Sequence, residues 1–215
     1  MAVGQPTPAA LRADAARNRE RIIAAAAEVF AERGLDASTA EVAQRAGVGE
    51  ATIFRRFPHK QDLVDAILEA KMSESIEMIA EYAADPDPER GLRRFLVDFL
   101  EMKMQPDQGY MEAMHDRCMT NPRFQPLRTK WLEHVGTLAR RAKGAGVLRD
   151  DVQPQDLGFL LTAIAATMHA PVQGVRGDLW KRYAGIVLDG LRPEGASPLR
   201  PGAPPRKLIE SPASS

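Results

Sequence analysis

The chain has 215 residues, of which 44% are hydrophobic and 27% are charged, a composition typical of a globular protein with a substantial core. Lysine plus arginine equals aspartate plus glutamate, at 29 each, so the overall charge does not indicate a polyanionic partner. The single cysteine, Cys118, excludes an internal disulfide framework. No signal-peptide core and no apolar run of the roughly 18 residues that span a membrane is present, so we expect a soluble, cytoplasmic protein.

The first residues of the chain do not have a helical pattern. Residues 1–16 contain two prolines and many alanines without a strong apolar period, and we interpret them as a flexible arm. The basic residues Arg12, Arg17 and Arg19 are consistent with solvated charge or with contacts to DNA phosphates. A first helix is predicted from about Asn18 to Arg33, because apolar residues recur at spacings of three and four.

The stretch from Ser38 to Lys60 predicts two short helices joined by a tight turn. The run Thr39–Ala46 meets Gly47-Val48-Gly49, and a second run, from Glu50 to Phe57, stops at Pro58. Two short helices with a glycine turn between them form a helix-turn-helix unit, whose second helix can enter a DNA major groove. From Arg45 to Lys60, four basic residues stand against one acidic residue, which gives modest local support for DNA.

A long helix is predicted from Lys60 to about Ala84, where apolar spacing continues for about six turns, or roughly 32 Å. That length exceeds a three-helix head, so we interpret this helix as the link between two domains. Five further helices are predicted over about 89–103, 110–118, 124–143, 154–170 and 178–191. The predicted fold is therefore all-α with about nine helices, ending in a disordered tail over residues 192–215.

Three segments together carry a resemblance to a known family: RIIAAAAEVFAERG, STAEVAQRAGVGEATIFRRFPHKQDL and LVDAIL. From Asn18 to about Met72 the chain resembles the TetR family of bacterial transcriptional regulators. The resemblance implies a helix-turn-helix DNA-binding domain over residues 17–62 and an effector-binding and dimerisation domain over residues 63–191. It also implies a ligand cavity in the second domain and a dimer formed by the last two helices, which would otherwise fill the monomer's own core.

The candidate DNA contacts lie on the second short helix and at the starts of its neighbours. Small residues at its N-terminal end allow close approach to base edges, and its arginines can pair with guanine or phosphate. By resemblance, Thr39, Thr52, Phe54 and Lys60 match backbone-contacting positions, although the family commonly has tyrosine at Phe54 and histidine at Arg56. Phe54 is thus equally consistent with a core position. The predicted DNA-binding residues are Thr39, Glu50, Ala51, Thr52, Phe54, Arg55, Arg56 and Lys60.

The candidate effector-binding residues are aromatic and sulfur-containing side chains of the second domain. Methionine-rich linings adapt to varied apolar ligands, although methionine at helical spacing is also ordinary core. His115 and Cys118 share a helical face as half of a metal or thiol site, but no other cysteine exists and we predict no metal and no cofactor. The predicted set is Phe99, Met102, Tyr110, Met111, Met114, His115, Cys118, Trp131, Phe159 and Met168.

We therefore predict a homodimeric, ligand-responsive regulator, most simply a repressor that leaves a palindromic DNA operator when a small molecule binds. No catalytic motif appears in the sequence, so we do not predict an enzyme. The alternatives are an activator and a small-molecule-binding or enzymatic helical protein with a vestigial DNA-binding head.

Overall fold

The computed structural model describes residues 7–103, 115–167 and 178–210. Within these ranges the chain forms ten α-helices and no β-strand, so the predicted all-α class is confirmed. The described chain divides into two compact units, the first ending at Ala70 and the second beginning at Lys71. None of the helices in these ranges combines the length and the apolarity that crossing a membrane requires.

The helices follow one another along the chain with short connections. The first unit contains α1 (Pro8–Arg33), α2 (Thr39–Ala46), α3 (Glu50–Arg56) and the beginning of α4 (Lys60–Ala84). The second unit contains the rest of α4 and six further helices, which are α5 (Pro88–Lys103), α6 (His115–Thr120), α7 (Gln125–Gly144), α8 (Pro154–Ala166), α9 (Leu179–Gly190) and α10 (Lys207–Glu210).

Helix α1 begins at Pro8, not near Asn18, so the prediction of a flexible arm is wrong for residues 8–16. Proline is favoured at the first helical position, and the many alanines of this segment have the highest helix propensity. Hydrophobic periodicity does not reveal such a segment, because it contains no apolar stripe. One tertiary contact lies beyond the reach of the pattern: Arg56 Nη2 donates to the Ala15 carbonyl at 2.7 Å.

The first unit is built around one small apolar core, in which α1 packs on α2 and α2 on α3. Among the apolar residues whose spacing predicts an inward face, Val48 in the turn is half-buried and Phe54 is exposed, whereas the others are buried. Phe54 is 47% exposed, which excludes the core position that the sequence left open for it, because Ile53 and Phe57 form the buried side of α3. The buried members are Ile22, Ile23, Ala26, Val29, Phe30, Val42, Ala43, Ala46, Ile53 and Phe57.

The second unit is built around a larger core to which α4, α5, α7, α8 and α9 contribute. Its centre includes Phe95, Leu96, Val135 and Leu157. The start of α5 approaches the end of α4 closely, since a Cβ added at Gly91 would lie 2.5 Å from the Tyr82 carbonyl oxygen. A glycine is therefore required where the chain turns from α4 into α5.

Residues 197–210, which we call the C-terminal strap, pack on the second unit, so the prediction of a disordered tail is wrong there. Leu199 N–H donates to Asp151 Oδ2 at 3.0 Å, and Gln155 Nε2 donates to the Pro204 carbonyl at 2.8 Å. Helix α10 packs on α7 and buries Ile209. The composition of the strap conceals this docking, because most of its bonds use backbone groups that meet side chains far away in the sequence.

Candidate nucleic-acid interface

Two caps fix the geometry of the α2–turn–α3 unit. Ser38 N–H donates to Glu41 Oε2 at 2.7 Å, and Ser38 Oγ accepts from Glu41 N–H at 3.3 Å, which together form the capping box of α2. At the other end, Gly47 has φ 63° and ψ 38°, the left-handed conformation that favours glycine. Val48 N–H then donates to the Ala43 carbonyl at 3.0 Å, and α3 begins after Gly49.

The recognition face is the exposed side of α3, formed by Glu50, Ala51, Phe54, Arg55 and Arg56. It exists because Ile53 and Phe57 are buried, which leaves the opposite side of the helix to solvent. Thr52 is half-buried at its edge. The face presents two guanidinium groups, one carboxylate, one aromatic ring and one small apolar residue.

Arg45 belongs to this unit, in the last turn of α2, but its charge is already paired. Its guanidinium contacts Glu32 at 2.6 Å and Glu28 at 3.1 Å, both on α1. The hydrogen bond to Glu32, followed by that to Glu28, raises the pKa of Arg45, and the same bond lowers the pKa of Glu32. The local excess of positive charge read from the sequence therefore rests on Arg55, Arg56 and Lys60.

Two of the predicted contact residues bind each other. Thr39 Oγ1, in the first turn of α2, donates to Glu50 Oε1 at 3.2 Å, at the start of α3. Glu50 suits a helix N-terminus but repels phosphate, whereas a carboxylate accepts a hydrogen bond from the cytosine amino group. Contact with a phosphate at this end of α3 requires the Glu50 side chain to turn away from it.

Three cations, Arg55 and Arg56 at the end of α3 and Lys60 at the start of α4, differ in their surroundings. Arg55 Nε donates to the Ala51 carbonyl of its own helix at 3.1 Å. Arg56 donates to the neutral Ala15 carbonyl, so its charge is not cancelled by that bond. Lys60 Nζ lies 5.6 Å from the centroid of the Phe30 ring, a cation–π distance. The positive charge of each of the three side chains can therefore attract a DNA phosphate.

The candidate effector residues that the structure describes gather in part. The Phe95 ring lies 6.4 Å from Phe99 and 6.2 Å from Trp131, centroid to centroid, so Phe95 brings these two together. Trp131 Nε1 donates to Ser75 Oγ at 3.3 Å, and Cys118 Sγ lies 3.2 Å from Met72 Sδ. Trp131 and Cys118 thus contact neighbouring positions of α4.

Other members of the predicted effector set are placed differently. Met102 is half-buried on α5, whereas Phe159 is 46% exposed on α8 and is not joined to the Phe99–Trp131 group. The remaining residues, Tyr110, Met111, Met114, Met168 and the side chain of His115, lie outside the described residues. Among the described residues, no group of three or more His, Cys, Asp or Glu side chains is arranged to hold a metal ion.

A cleft of about 270 Å³ lies between α5 and α9. Its walls include Val97 and Trp180, and a Lys181–Glu101 ion pair of 3.6 Å lies at its edge. None of the predicted effector residues lines this cleft. The residues that line the cleft come from two helices, α5 and α9, that are far apart in the sequence. Helical spacing within one helix does not predict that they lie together.

Arg128 is a buried charged side chain that the sequence patterns did not single out. It is only 3% exposed and lies on the core side of α7. A signal was present in the spacing, because Arg128 precedes Leu132 by four residues and Val135 by seven, which places all three on one helical face. A charged residue within an apolar stripe is a candidate for a specific role, since burying its charge requires partners.

Comparisons with known protein families match two successive parts of the chain. Residues 22–67 match the family described as bacterial regulatory proteins, tetR family. Residues 87–193 match the family described as transcriptional regulator SbtR-like, C-terminal domain. Over 199 residues the chain is 29% identical to the HTH-type transcriptional repressor KstR2 of Rhodococcus jostii, which covers 86% of this chain and 97% of that protein.

Solved structures show the same similarity over most of the chain. A TetR transcription regulatory protein from Mycobacterium vanbaalenii is 31% identical, with a TM-score of 0.64 and coverage of 85% of this chain and 99% of that chain. The regulator FadR from Bacillus subtilis, solved in complex with stearoyl-CoA, is 19% identical, with a TM-score of 0.64 and coverage of 83% and 99%. The second likeness is one of fold.

Proposed function

The chain belongs to the TetR family of bacterial regulatory proteins, and from this premise we propose that it is a homodimeric repressor that leaves a palindromic DNA operator when a small molecule binds its second unit. It is a ligand-responsive, DNA-binding transcriptional regulator. Our proposal adds four points to this: the palindromic operator, repression as the direction of regulation, the residues that contact DNA, and a cytoplasmic location.

The observation that carries the proposal is the recognition face. A helix seated by Ile53 and Phe57, with every charged side chain turned to solvent, is suited to insertion into a major groove. Arg55, Arg56 and Lys60 would pair with phosphates, and Ala51 and Thr52 would approach base edges. Phe54, which replaces the tyrosine common in the family, would contact the sugar–phosphate backbone through its exposed ring.

Dimerisation through α8 and α9 is supported by their exposed apolar side chains. Phe159 on α8 and Tyr183 and Ile186 on α9 are each at least 40% exposed, although the same helices bury Leu157, Leu161 and Trp180 in the core. Two copies that pair through these surfaces form an isologous interface. Such a dimer would place its two recognition helices on successive major grooves, about 34–36 Å apart.

The response to ligand would act through α4. Trp131 and Cys118 contact α4 at Ser75 and Met72, so a ligand that rearranges them bears directly on this helix. For release to follow, the ligand must bind the DNA-incompetent arrangement more tightly than the competent one. The proposed mechanism is therefore a shift of population between two states of the dimer.

A gel-shift titration against the DNA that flanks its own gene tests the proposal. We expect salt-sensitive, sequence-specific binding by the dimer, and binding lost in Arg55→Ala/Arg56→Ala protein. A dimer that binds this DNA no better than scrambled DNA would instead favour a ligand-binding helical protein with a vestigial head. A promoter-reporter measurement then separates repressor from activator.

A further inference from the structure

Arg128 is held by four backbone carbonyls on two sides of its guanidinium. Nη1 donates to the carbonyls of Cys118 at 2.6 Å and Asn121 at 3.2 Å, at the end of α6. Nε and Nη2 donate to the strap, to the carbonyls of Ile209 at 2.9 Å and Glu210 at 3.3 Å. All four acceptors are neutral, although the arginine is buried, and this burial lowers its pKa.

Arg128 binds the strap through Nε and Nη2. Two other arginines of this chain use the same pair of atoms to bind a carboxylate. Arg90 donates through Nε and Nη2 to the two oxygens of Asp85, at 2.9 and 2.7 Å. Arg149 does the same to Asp151, at 2.7 and 2.9 Å. Parallel bonds from this edge match the geometry of a carboxylate. In Arg128 two carbonyl oxygens of the strap stand where the two carboxylate oxygens would be.

The strap also places an aliphatic side chain against an aromatic wall. A Cβ atom added at Gly158 would lie 3.3 Å from Trp131 Cη2 and 3.8 Å from Ile209 Cδ1. The tryptophan ring and the isoleucine side chain therefore both pack over this glycine. Ile209 is 8% exposed, whereas its neighbour Leu208 is 43% exposed. The absent side chain at Gly158 leaves the room that Ile209 and the Trp131 ring occupy.

We propose that the C-terminal strap is the internal occupant of a ligand site formed by Arg128, Trp131 and Gly158, and that a monocarboxylate with an apolar chain displaces it. The carboxylate takes the Nε–Nη2 edge from the Ile209 and Glu210 carbonyls. The apolar chain takes the place of the Ile209 side chain beside Trp131. The exchange replaces two neutral acceptors by a charged one, and charge-assisted bonds to a buried guanidinium are stronger.

The site itself stands on contacts within the second unit alone. Only the step from binding to DNA release rests on the proposed function, through the Trp131–Ser75 hydrogen bond to α4. Because the family match of the second unit ends at residue 193, the strap lies beyond the part of the chain that the match describes. Displacement of the strap would thus be a property of this chain.

The test uses full-length Trp180→Phe protein, in which Trp131 is the single tryptophan, with octanoate as the probe and fluorescence as the readout. Ile209→Ser removes the apolar seat of the strap, and Leu208→Ser is its matched exposed control. Ligand affinity is reduced by the fraction of molecules whose site is occupied. We therefore expect octanoate to bind roughly tenfold more tightly to the Ile209→Ser protein and unchanged to the Leu208→Ser protein.

Two results would overturn the proposal: an affinity for octanoate that Ile209→Ser leaves unchanged or weakens, and 1-octanol binding as tightly as octanoate. A measurement without the Ile209 substitution guards against a variant that fails to fold. Octanoate should speed tryptic cleavage after Arg206 severalfold, and an unaltered rate would refute displacement. These assays need no DNA, so specific operator binding together with a failed displacement rejects only the strap, and absent operator binding rejects only the regulator.

Discussion

Ile53 and Phe54 are neighbours on α3 with opposite surroundings. Ile53 serves the stability of the fold, whereas we propose that Phe54 contacts DNA. Ile53 has no exposed surface, whereas nearly half of Phe54 is exposed. Periodicity leaves Phe54 open between a core position and a DNA contact, since a short helix offers too few turns to tell its faces apart. Helix α3 packs on α2, and only this tertiary packing distinguishes the two positions.

Phe54→Ala should therefore weaken operator binding with little effect on stability. We expect a change of less than about 1 kcal/mol in the free energy of unfolding, as for surface substitutions, and a severalfold loss of DNA affinity. Ile53→Ala, the matched core variant, should lose about 2–5 kcal/mol of stability. Denaturant titration and fluorescence anisotropy measure the two quantities, and a strongly destabilised Phe54→Ala protein would contradict the exposed placement.

The arginines of the helix-turn-helix unit should differ in their effect on the salt dependence of DNA binding, because they have different partners. Arg45 is paired with Glu28 and Glu32, whereas Arg55 has a neutral partner in its own helix. Loss of one phosphate contact lowers the slope of log affinity against log salt by about one. We expect this change for Arg55→Ala but not for Arg45→Ala; equal slopes for the two variants would refute the assignment.

At the scale of elements, the sequence predicted best where local signals and tertiary role coincide. The α2–turn–α3 unit shows its capping serine, its left-handed glycine and its apolar spacing in one short stretch. The start of α1 and the C-terminal strap were missed for a common reason. Each is held by arginine bonds to backbone carbonyls, such as Arg56 to Ala15 and Arg128 to Ile209, and a carbonyl has no signature in sequence.

The turn between α2 and α3 should depend on Gly47. An L-residue in the left-handed conformation costs roughly 1–2 kcal/mol, so Gly47→Ala should lower the free energy of unfolding by about that amount. Gly144, at the end of α7, has open space around it and no positive φ. Gly144→Ala should instead be neutral or raise stability, by up to about 1 kcal/mol. Urea titration of both variants checks the opposite signs.

Docking of the strap should depend on the charge of Asp151. The fork from Arg149 and the Leu199 N–H bond lower the pKa of Asp151 from 3.8 to about 2. A lowered pKa means that the charged form stabilises the docked strap above pH 3.8, and that this contribution is lost as the pH falls toward 2. Hydrogen exchange at the Leu199 amide, corrected for its intrinsic rate, should show protection that fades across this window.

Asp151→Asn provides the control at neutral pH, because asparagine keeps the shape of the side chain and removes its charge. Protection of the Leu199 amide should then be reduced at every pH above 4. Protection that persists in the variant would show that the strap is held without this carboxylate.

For the whole molecule, the exposed apolar residues of α8 and α9 predict a dimer. Ile186, at 56% exposure, is the most exposed of them. Ile186→Asp would bury two carboxylates near the twofold axis of an isologous interface, so the variant should be monomeric at micromolar concentration by light scattering. Leu199→Asp, at an exposed residue of the strap, should remain a dimer. A dimeric Ile186→Asp protein would place the interface elsewhere.

The order of the helices follows from sequence patterns, and the family resemblance implies a DNA-binding and an effector-binding unit, but neither identifies the residues of an effector site. Phe99 and Trp131 both lie near Phe95 and Cys118 contacts Met72 on α4, but Phe159, chosen by the same reasoning, is 46% exposed. The sequence does not distinguish an apolar side chain that fills a core from one that lines a cavity or forms a dimer interface. Only the neighbours that packing supplies distinguish these roles.

Selection from a pool of random DNA by the full-length protein is the most direct test of DNA reading by α3. We expect an enriched motif of two inverted half-sites, with centres about 10 base pairs or a multiple of one helical turn apart. The motif should not be enriched by Arg55→Ala/Arg56→Ala protein. Enrichment of no motif, or of the same motif by that variant, would contradict a regulator that reads DNA through the exposed face of α3.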